Sequence, residues 1–284
     1  MVETFKLNDG RDIPVLGLGT WMIAADKTAQ AVREALNLGY RHIDTAQAYG
    51  NEAEVGEGVR TSGIPREEIF VTTKIAAEHK TYEAAAQSID DSLAKMGLDY
   101  IDLMIIHSPQ PWAEWRDSNK NFDNGNLAAW RALEDAQKAG KVKSIGLSNF
   151  LTTDVQNILD NGSVTPAVNQ ILTHVGNTPL DLIDFCQKHN ILVEAYSPIA
   201  HGEALKSPAI VAMAEKYNVS VAQLCIKYVI QLGLVALPKT ANPEHMKSNA
   251  TLNFTISDAD MEALKGIDFK EYGEFAGFPV FSGK

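Results

Sequence analysis

The chain carries only two cysteines, Cys186 and Cys225, in 284 residues. Two thiols cannot build a disulfide framework, and neither belongs to a CxxC pair of the kind that holds zinc or runs thiol redox chemistry, so a reducing compartment fits. Nowhere does an apolar run approach the ~18 residues that a bilayer-spanning helix needs, and the opening MVETFKLNDGRDIP lacks the basic-then-apolar order of a secretory leader. Positive charge is also scarce: 25 Lys+Arg stand against 36 Asp+Glu, a formal net charge of −11. Because the acids are scattered rather than gathered in a tail, nucleic acid and anionic membranes are repelled on average, while a local basic pocket for a small anion stays compatible with that balance. The seven histidines show no HxH or HExxH spacing, so no metal site is proposed and a metal-dependent hydrolase is disfavoured. Neither a Pro/Ser-rich linker nor a low-complexity stretch interrupts the chain. With 45% hydrophobic residues there is material for a large core, and the expectation is a soluble, cytoplasmic protein whose residues 1–284 form one domain.

What is present is alternation. Short apolar runs at 15–18, 42–44, 69–72, 100–106, 144–147, 167–170, 192–196 and 234–237 are separated by helical patterns. Near-continuous apolarity predicts strands buried on both faces, hence parallel. Tyr82, Ala85, Ala86, Ile89, Leu93 and Met96 mark one face of a helix starting near Thr81, and Val155, Ile158 and Leu159 do the same behind Thr152 and Thr153. Eight strand–helix units at ~30 residues each predict a closed (β/α)8 TIM barrel, with an open doubly wound sheet as the alternative. Residues 5–13 read as an N-terminal β-hairpin cap turning at Asp9-Gly10 and plugging the barrel bottom. Ser257 to Asp260 reads as a capping box opening a C-terminal helix through Leu264, followed by an aromatic tail.

Catalytic groups of such barrels sit at the C-terminal ends of strands. Asp44 ends the second run, Tyr49 follows it, Lys74 ends the third and His107 the fourth. Neighbouring strands bring the four to one side of the mouth. A tyrosine beside an ammonium and a carboxylate is a proton donor in the making, since the positive charge favours the phenolate. Asp44 holds Lys74, and His107 orients a carbonyl or assists the proton transfer.

Around these residues the sequence resembles the aldo-keto reductase family. GYRHIDTA at 39–46, followed by Tyr49, Asn51, Glu52, Val55 and Gly56, is similar to its first signature; KSIGLSNF at 143–150 to its second; and LPKT at 237–240 with Ser248-Asn249 to its third. LGLGTW at 16–21 and AYSP at 195–198 also match. The resemblance spans nearly the whole chain and implies reversible reduction of aldehydes or ketones by hydride from NADPH, without metal, by a monomer. It makes Tyr49 the general acid, Lys74 and Asp44 its tuning pair, and His107 the substrate-orienting group. It places Thr20, Ser148, Asn149, Gln170, Tyr196, Ser197, Lys239, Thr240, His245 and Asn249 at the cofactor, Tyr196 stacking on the nicotinamide and Ser197 near the pyrophosphate. Gly17-Leu18-Gly19 is not a Rossmann fingerprint, because Met22 stands where the third glycine belongs.

Asn242-Pro243-Glu244 is a helix start whose free N–H groups and dipole, with Lys239 and Thr240, suit an adenosine 2′-phosphate. His245 stands where the family usually has arginine, which predicts a weakened NADPH preference and usable NADH.

On the substrate side the resemblance makes Trp21 a wall. Ala76 and Ser108 replace common aromatic walls, predicting a wider or more polar entrance unless Trp112 and Trp115 fold back. Val175 follows His174 in place of the usual proline. Tyr272, Phe275, Phe278 and Phe281 either line the mouth or pack on the barrel, packing being the expected role. Arg116 and Lys120 are the cations on offer for a substrate carboxylate. Similarity is strongest to bacterial-type members such as 2,5-diketo-D-gluconate reductases and broad aldehyde reductases, but fold and family do not fix substrate. The alternative function is a nicotinamide-binding regulatory protein with little turnover, which an intact tetrad disfavours.

Overall fold

The computed structural model describes residues 2–283. The chain opens with the expected hairpin, β1 (Thr4–Lys6) antiparallel to β2 (Asp12–Pro14). Gly10 makes the turn at φ 86°, a left-handed conformation that glycine adopts without a Cβ clash, and its N–H reaches the Leu7 carbonyl at 3.0 Å. Leu7 and Ile13 are buried against Phe70, Leu103, Ile105, Val168 and Val235, so the hairpin plugs one end of the barrel.

The remaining elements alternate: β3 (Leu18–Gly19), α1 (Ala25–Asn37), β4 (His42–Asp44), α2 (Glu52–Arg60), β5 (Phe70–Ile75), α3 (Tyr82–Met96), β6 (Ile101–Ile106), α4 (Asp123–Lys138), β7 (Val142–Ser148), α5 (Thr152–Asn161), β8 (Val168–Leu172), α6 (Leu180–Lys188), β9 (Leu192–Tyr196), α7 (Pro208–Lys216), α8 (Val221–Gln231), β10 (Val235–Leu237), α9 (Pro243–Ala250) and α10 (Asp258–Lys265). Strands β3 to β10 pair in parallel in sequence order. The ends join through Gly17 N–H to Ala236 O at 2.9 Å, Ala236 N–H to Val15 O at 2.8 Å and Gly19 N–H to Pro238 O at 3.0 Å. The sheet is therefore a closed barrel, and the open doubly wound alternative is discarded.

The continuous apolar runs have a two-sided cause. In β6, Met104 and Ile106 face outward into the layer shared with the helices, while Leu103 and Ile105 fill the barrel interior. Helix α3 starts as expected, Thr81 Oγ1 accepting the Ala84 N–H, but its buried face is Ala85, Ser88, Ile89, Ser92 and Met96. Tyr82 is 38% exposed, its hydroxyl donating to Asp135 at the surface, while Gln47 donates to the Ser88 carbonyl and to Ser92 Oγ on the buried side. At α10 only half of the expected capping box forms. Ser257 Oγ accepts the Asp260 N–H, whereas the Asp260 carboxylate receives Lys216, the Tyr217 hydroxyl and the Ser257 hydroxyl, and the Ser257 N–H goes to Tyr217 Oη. Among the described residues no helix is long and apolar enough to cross a membrane.

Candidate active site

Three adjacent strand ends deliver the four expected groups to one place. Asp44 ends β4, Tyr49 closes the short helical turn after it, Lys74 lies one residue before the end of β5, and His107 directly follows β6. Lys74 Nζ donates to Asp44 Oδ1 at 2.7 Å, to the Thr45 carbonyl at 2.7 Å and to Tyr49 Oη at 3.3 Å. These three acceptors match the three hydrogens of an ammonium, which is what permits a lysine only 1% exposed. The His107 ring stands edge-on to Tyr49, centroids 5.7 Å apart.

Burial reverses one expectation about Tyr49. Desolvation, the largest effect, raises its pKa above the ordinary 10.0, and Lys74, pulling the other way, does not restore it. The phenol is thus firmly protonated at rest, rather than poised toward phenolate. Burial alone would lower Lys74, but Asp44 and Tyr49 outweigh it and the ammonium is held charged. His107 is driven well below 6.5 by burial and then by the charges of Lys74 and Lys80, so its imidazole is neutral. Its Nδ1 is sealed without a partner among the described residues. An orphaned lone pair is cheaper than an orphaned N–H, which assigns the proton to Nε2.

Beneath the tetrad lies a polar floor that the sequence reading missed. Gln170 Nε2 donates to Asp44 Oδ2 at 2.9 Å and to Glu194 Oε2 at 3.0 Å. Glu194 Oε1 lies 3.7 Å from His42 Nε2, which itself meets Thr72 Oγ1 at 3.0 Å. A Cβ on Gly17 would sit 2.9 Å from the His42 ring, so this ring fits only against glycine. The available signal was a single acid, Glu194, inside an otherwise apolar strand.

Above the tetrad opens a cleft of about 720 Å³, lined by Asp44, Tyr49 and His107 on one side and by Ser148, Asn149, Gln170, Tyr196, Ser197 and Lys239 along the other. Tyr196 Oη donates to Asn149 Oδ1 at 2.7 Å; Asn149 Nδ2 donates to the His107 carbonyl and to Ser148 Oγ; and Ser148 Oγ donates to the Gln170 carbonyl. Ser197 Oγ meets His201 Nε2 at 3.1 Å. Of the expected residues, Lys74 lies beneath the cleft lining and four of those expected at the cofactor lie off it. Thr20 is buried, donating to the Asp44 carbonyl at 2.9 Å. Thr240 is buried with Oγ1 accepting the Asn242 N–H, Asn249 is 4% exposed, and His245 is exposed on the first turn of α9. That turn has fewer open amides than expected. Pro243 has no N–H, Asn242 Oδ1 takes the Glu244 N–H and the Asn242 carbonyl takes that of Met246, leaving the His245 N–H.

The mouth is aromatic. Trp112 folds back beside His107, centroids 5.0 Å apart, and lines the cleft, whereas Ser108 and Ala76 do not. The tail lines the mouth instead of merely packing on the barrel: Phe275, Phe278 and Phe281 reach the cleft and surround Trp21 at 5.1–6.3 Å. Phe275 stacks on His201 at 4.1 Å. The root of the tail is held by His174, whose Nε2 meets Tyr272 Oη at 2.9 Å while Nδ1 meets the Val175 carbonyl. The two loop cations turn away from the cleft. Arg116 stacks on Trp115 and donates to the Asn149 carbonyl at 3.0 Å, and Lys120 pairs with Glu114 at 2.6 Å. Lys80, also unforeseen, ties the loop after His107 to α4 through the Ser108 carbonyl at 2.7 Å and Asn126 Oδ1 at 2.9 Å.

Among the described residues no three His, Cys, Asp or Glu side chains group to hold a metal ion. An aldehyde reductase of Saccharomyces cerevisiae is 39% identical over 98% of this chain and 96% of its own length. A glycerol 2-dehydrogenase (NADP(+)) of the same yeast is 39% identical over 96% of this chain and 92% of its own. The crystal structure of an aldo/keto reductase from Brucella melitensis superposes with a TM-score of 0.87 at 41% identity, covering 94% of this chain and all of that one. Residues 15–268 match the Aldo/keto reductase family, and with a match over most of its length the chain belongs to that family.

Proposed function

We propose that this cleft reduces aldehydes and ketones to alcohols with NADPH as hydride source and Tyr49 as proton donor. The observation that carries the reading is the placement of Lys74 Nζ between Asp44 Oδ1, at 2.7 Å, and Tyr49 Oη, at 3.3 Å, at the foot of an open cleft.

The residues suit a nicotinamide dinucleotide. Ser148, Asn149 and Gln170 offer a carboxamide both donors and acceptors, the Tyr196 ring offers a stacking face, and Lys239 with the open His245 N–H offers positive potential at the far end. The reduced nicotinamide supplies the hydride, which goes to the carbonyl carbon. His107, neutral and protonated on Nε2, holds the carbonyl oxygen by a hydrogen bond without itself acidifying the site. Negative charge develops on that oxygen as the hydride arrives, and the Tyr49 proton moves to it. Lys74 acts at this moment: the raised resting pKa of Tyr49 keeps the proton available, and the ammonium stabilises the phenolate as it forms. Asp44 keeps Lys74 charged and aimed. In the oxidative direction the same groups run in reverse. A binding-only role finds no support in a site whose four groups meet in this way.

The test is NADPH consumption over a panel of aldehydes and ketones for wild type and Tyr49→Phe. Loss of the general acid lowers kcat by ~10²–10⁴-fold while NADPH binding, followed by quenching of protein fluorescence, stays intact. A Tyr49→Phe enzyme that retains its turnover overturns the assignment.

A further inference from the structure

The floor of the cleft holds a carboxyl that this chemistry leaves unused. Glu194 sits in the middle of β9, fully buried. An amide nitrogen carries two hydrogens, and Gln170 commits both: one to Glu194 Oε2 at 3.0 Å, the other to Asp44 Oδ2 at 2.9 Å. Asp44 Oδ1 in turn receives Lys74. Glu194, Gln170, Asp44, Lys74 and Tyr49 therefore form one continuous series of hydrogen bonds from the barrel interior to the proton donor, with a single side branch from Lys74 to the Thr45 carbonyl. We propose that Glu194 is a positioning residue for the tetrad: through the Gln170 amide it fixes the Asp44 carboxylate in the orientation that receives Lys74, and by keeping its proton it spares Tyr49 a second buried negative charge. The inference rests on the reductase reading of the site.

The charged and titratable groups facing Glu194 are His42 and Asp44 on β4 and Lys74 on β5, with Tyr49 beyond the lysine. His42 is kept neutral, its pKa pushed down to about 3 by burial, so it offers no counter-charge. Glu194 Oε1 has no hydrogen-bond partner among the described residues. An ionised carboxylate would set a second negative charge beside Asp44 in a dry interior. Burial, and after it the Asp44 charge, push the Glu194 pKa up to about 8 against the pull of Gln170 and Lys74. At neutral pH Glu194 thus keeps its proton, Lys74 answers Asp44 alone, and the phenolate forming on Tyr49 meets one buried negative charge instead of two. Ionising Glu194 adds the second and makes Tyr49 a poorer acid.

The experiment compares wild type with Glu194→Gln, which is neutral at every pH and still accepts from Gln170, and Glu194→Leu, which removes the acceptor. With saturating NADPH, kcat for aldehyde reduction is followed from pH 6 to 9.5. The wild-type profile falls through an inflection near pH 8 that Glu194→Gln lacks. Glu194→Leu loses ~10-fold in kcat at pH 7 with aldehyde KM unchanged, and Glu194→Gln recovers most of that loss. A Glu194→Gln profile superimposing on wild type, or a Glu194→Leu enzyme with wild-type kcat, overturns the proposal. Should Glu194→Leu fail to fold, the Glu194→Gln profile decides alone. A readout free of cofactor stands beside these: folded wild type retains a proton that the unfolded chain releases above its ordinary pKa of 4.5, so the Tm advantage of Glu194→Gln widens from pH 5 to pH 8. A constant gap overturns the charge assignment. A wild type that turns over no carbonyl sinks the reductase reading instead, and the Tm comparison still judges Glu194.

Discussion

Trp112 packs edge-on against His107, the ring planes at 86° and the centroids 5.0 Å apart. The contact joins the residue proposed to hold the carbonyl oxygen to a loop that begins four residues before Trp112, and it sets an aromatic wall on the cleft beside His107. Lys80 anchors the start of that loop through the Ser108 carbonyl. Position of the wall and position of His107 are therefore coupled.

Trp112→Ala removes the wall and leaves the tetrad bonds untouched. Losing one aromatic contact worth about 1.5 kcal/mol raises KM for an aromatic aldehyde ~10-fold, with kcat changed much less. A larger fall in kcat than rise in KM would show that Trp112 acts mainly by holding His107 in place. Steady-state kinetics with benzaldehyde and with a short aliphatic aldehyde separate the two.

Lys74→Met is expected to abolish turnover and also to destabilise the fold, because Asp44 is left as a buried carboxylate with no cation. Breaking a buried pair in this way costs about 3–5 kcal/mol. Adding Asp44→Asn removes the orphaned charge, so the double variant regains most of the stability and none of the activity. Urea unfolding and NADPH consumption on the three proteins check both halves. A Lys74→Met protein as stable as wild type would contradict the desolvated pairing.

The strands were legible because a barrel strand is apolar on two faces, as Leu103 and Ile105 against Met104 and Ile106 show. The tetrad was legible because polar groups close those same runs. What stayed hidden depends on contacts between distant segments or on the local dielectric. Phe275 stacks on His201, 74 positions earlier, and nothing in either neighbourhood announces the partner. The sign of the Tyr49 shift follows from a contest between burial and Lys74 that spacing cannot decide. In α9 the proline and the Asn242 cap were visible, but it takes hydrogen-bond geometry to see that the cap consumes the Glu244 N–H and leaves only that of His245 open.

Cofactor preference is expected to turn on that residue. The His245 side chain is exposed at the start of α9, with Lys239 exposed at the nearby end of the cleft. His245→Arg adds a permanent charge and a bidentate donor beside the site proposed for the 2′-phosphate. One charge-assisted contact of about 1.4 kcal/mol raises the ratio of kcat/KM for NADPH over NADH ~10-fold. An unchanged ratio would place the 2′-phosphate elsewhere.

Acid lability follows from the buried histidines. Burial lowers the pKa of His42 to about 3 and of His174 to about 4, and drives His107 well below its ordinary 6.5. For each, the unfolded chain takes up a proton below pH 6.5 that the folded chain refuses, so stability is full above that value and is lost as pH falls toward the folded pKa. Glu194 opposes them: its folded pKa of about 8 lies above the ordinary 4.5, so its contribution is full below 4.5 and is lost as pH rises toward 8. Each group contributes a slope of about 1.4 kcal/mol per pH unit at most. These three slopes, with a fourth of the same sign from half-buried His201, whose pKa burial lowers to about 4, stand against one of the other and leave a net loss of roughly 2–4 kcal/mol per unit on acidification from pH 6 to 5. Urea unfolding at pH 6.5, 6, 5.5 and 5 measures it, and a flat dependence would mean that the histidines charge within the fold. Glu194→Gln removes the opposing term, so its acid limb is steeper than that of wild type by about one proton.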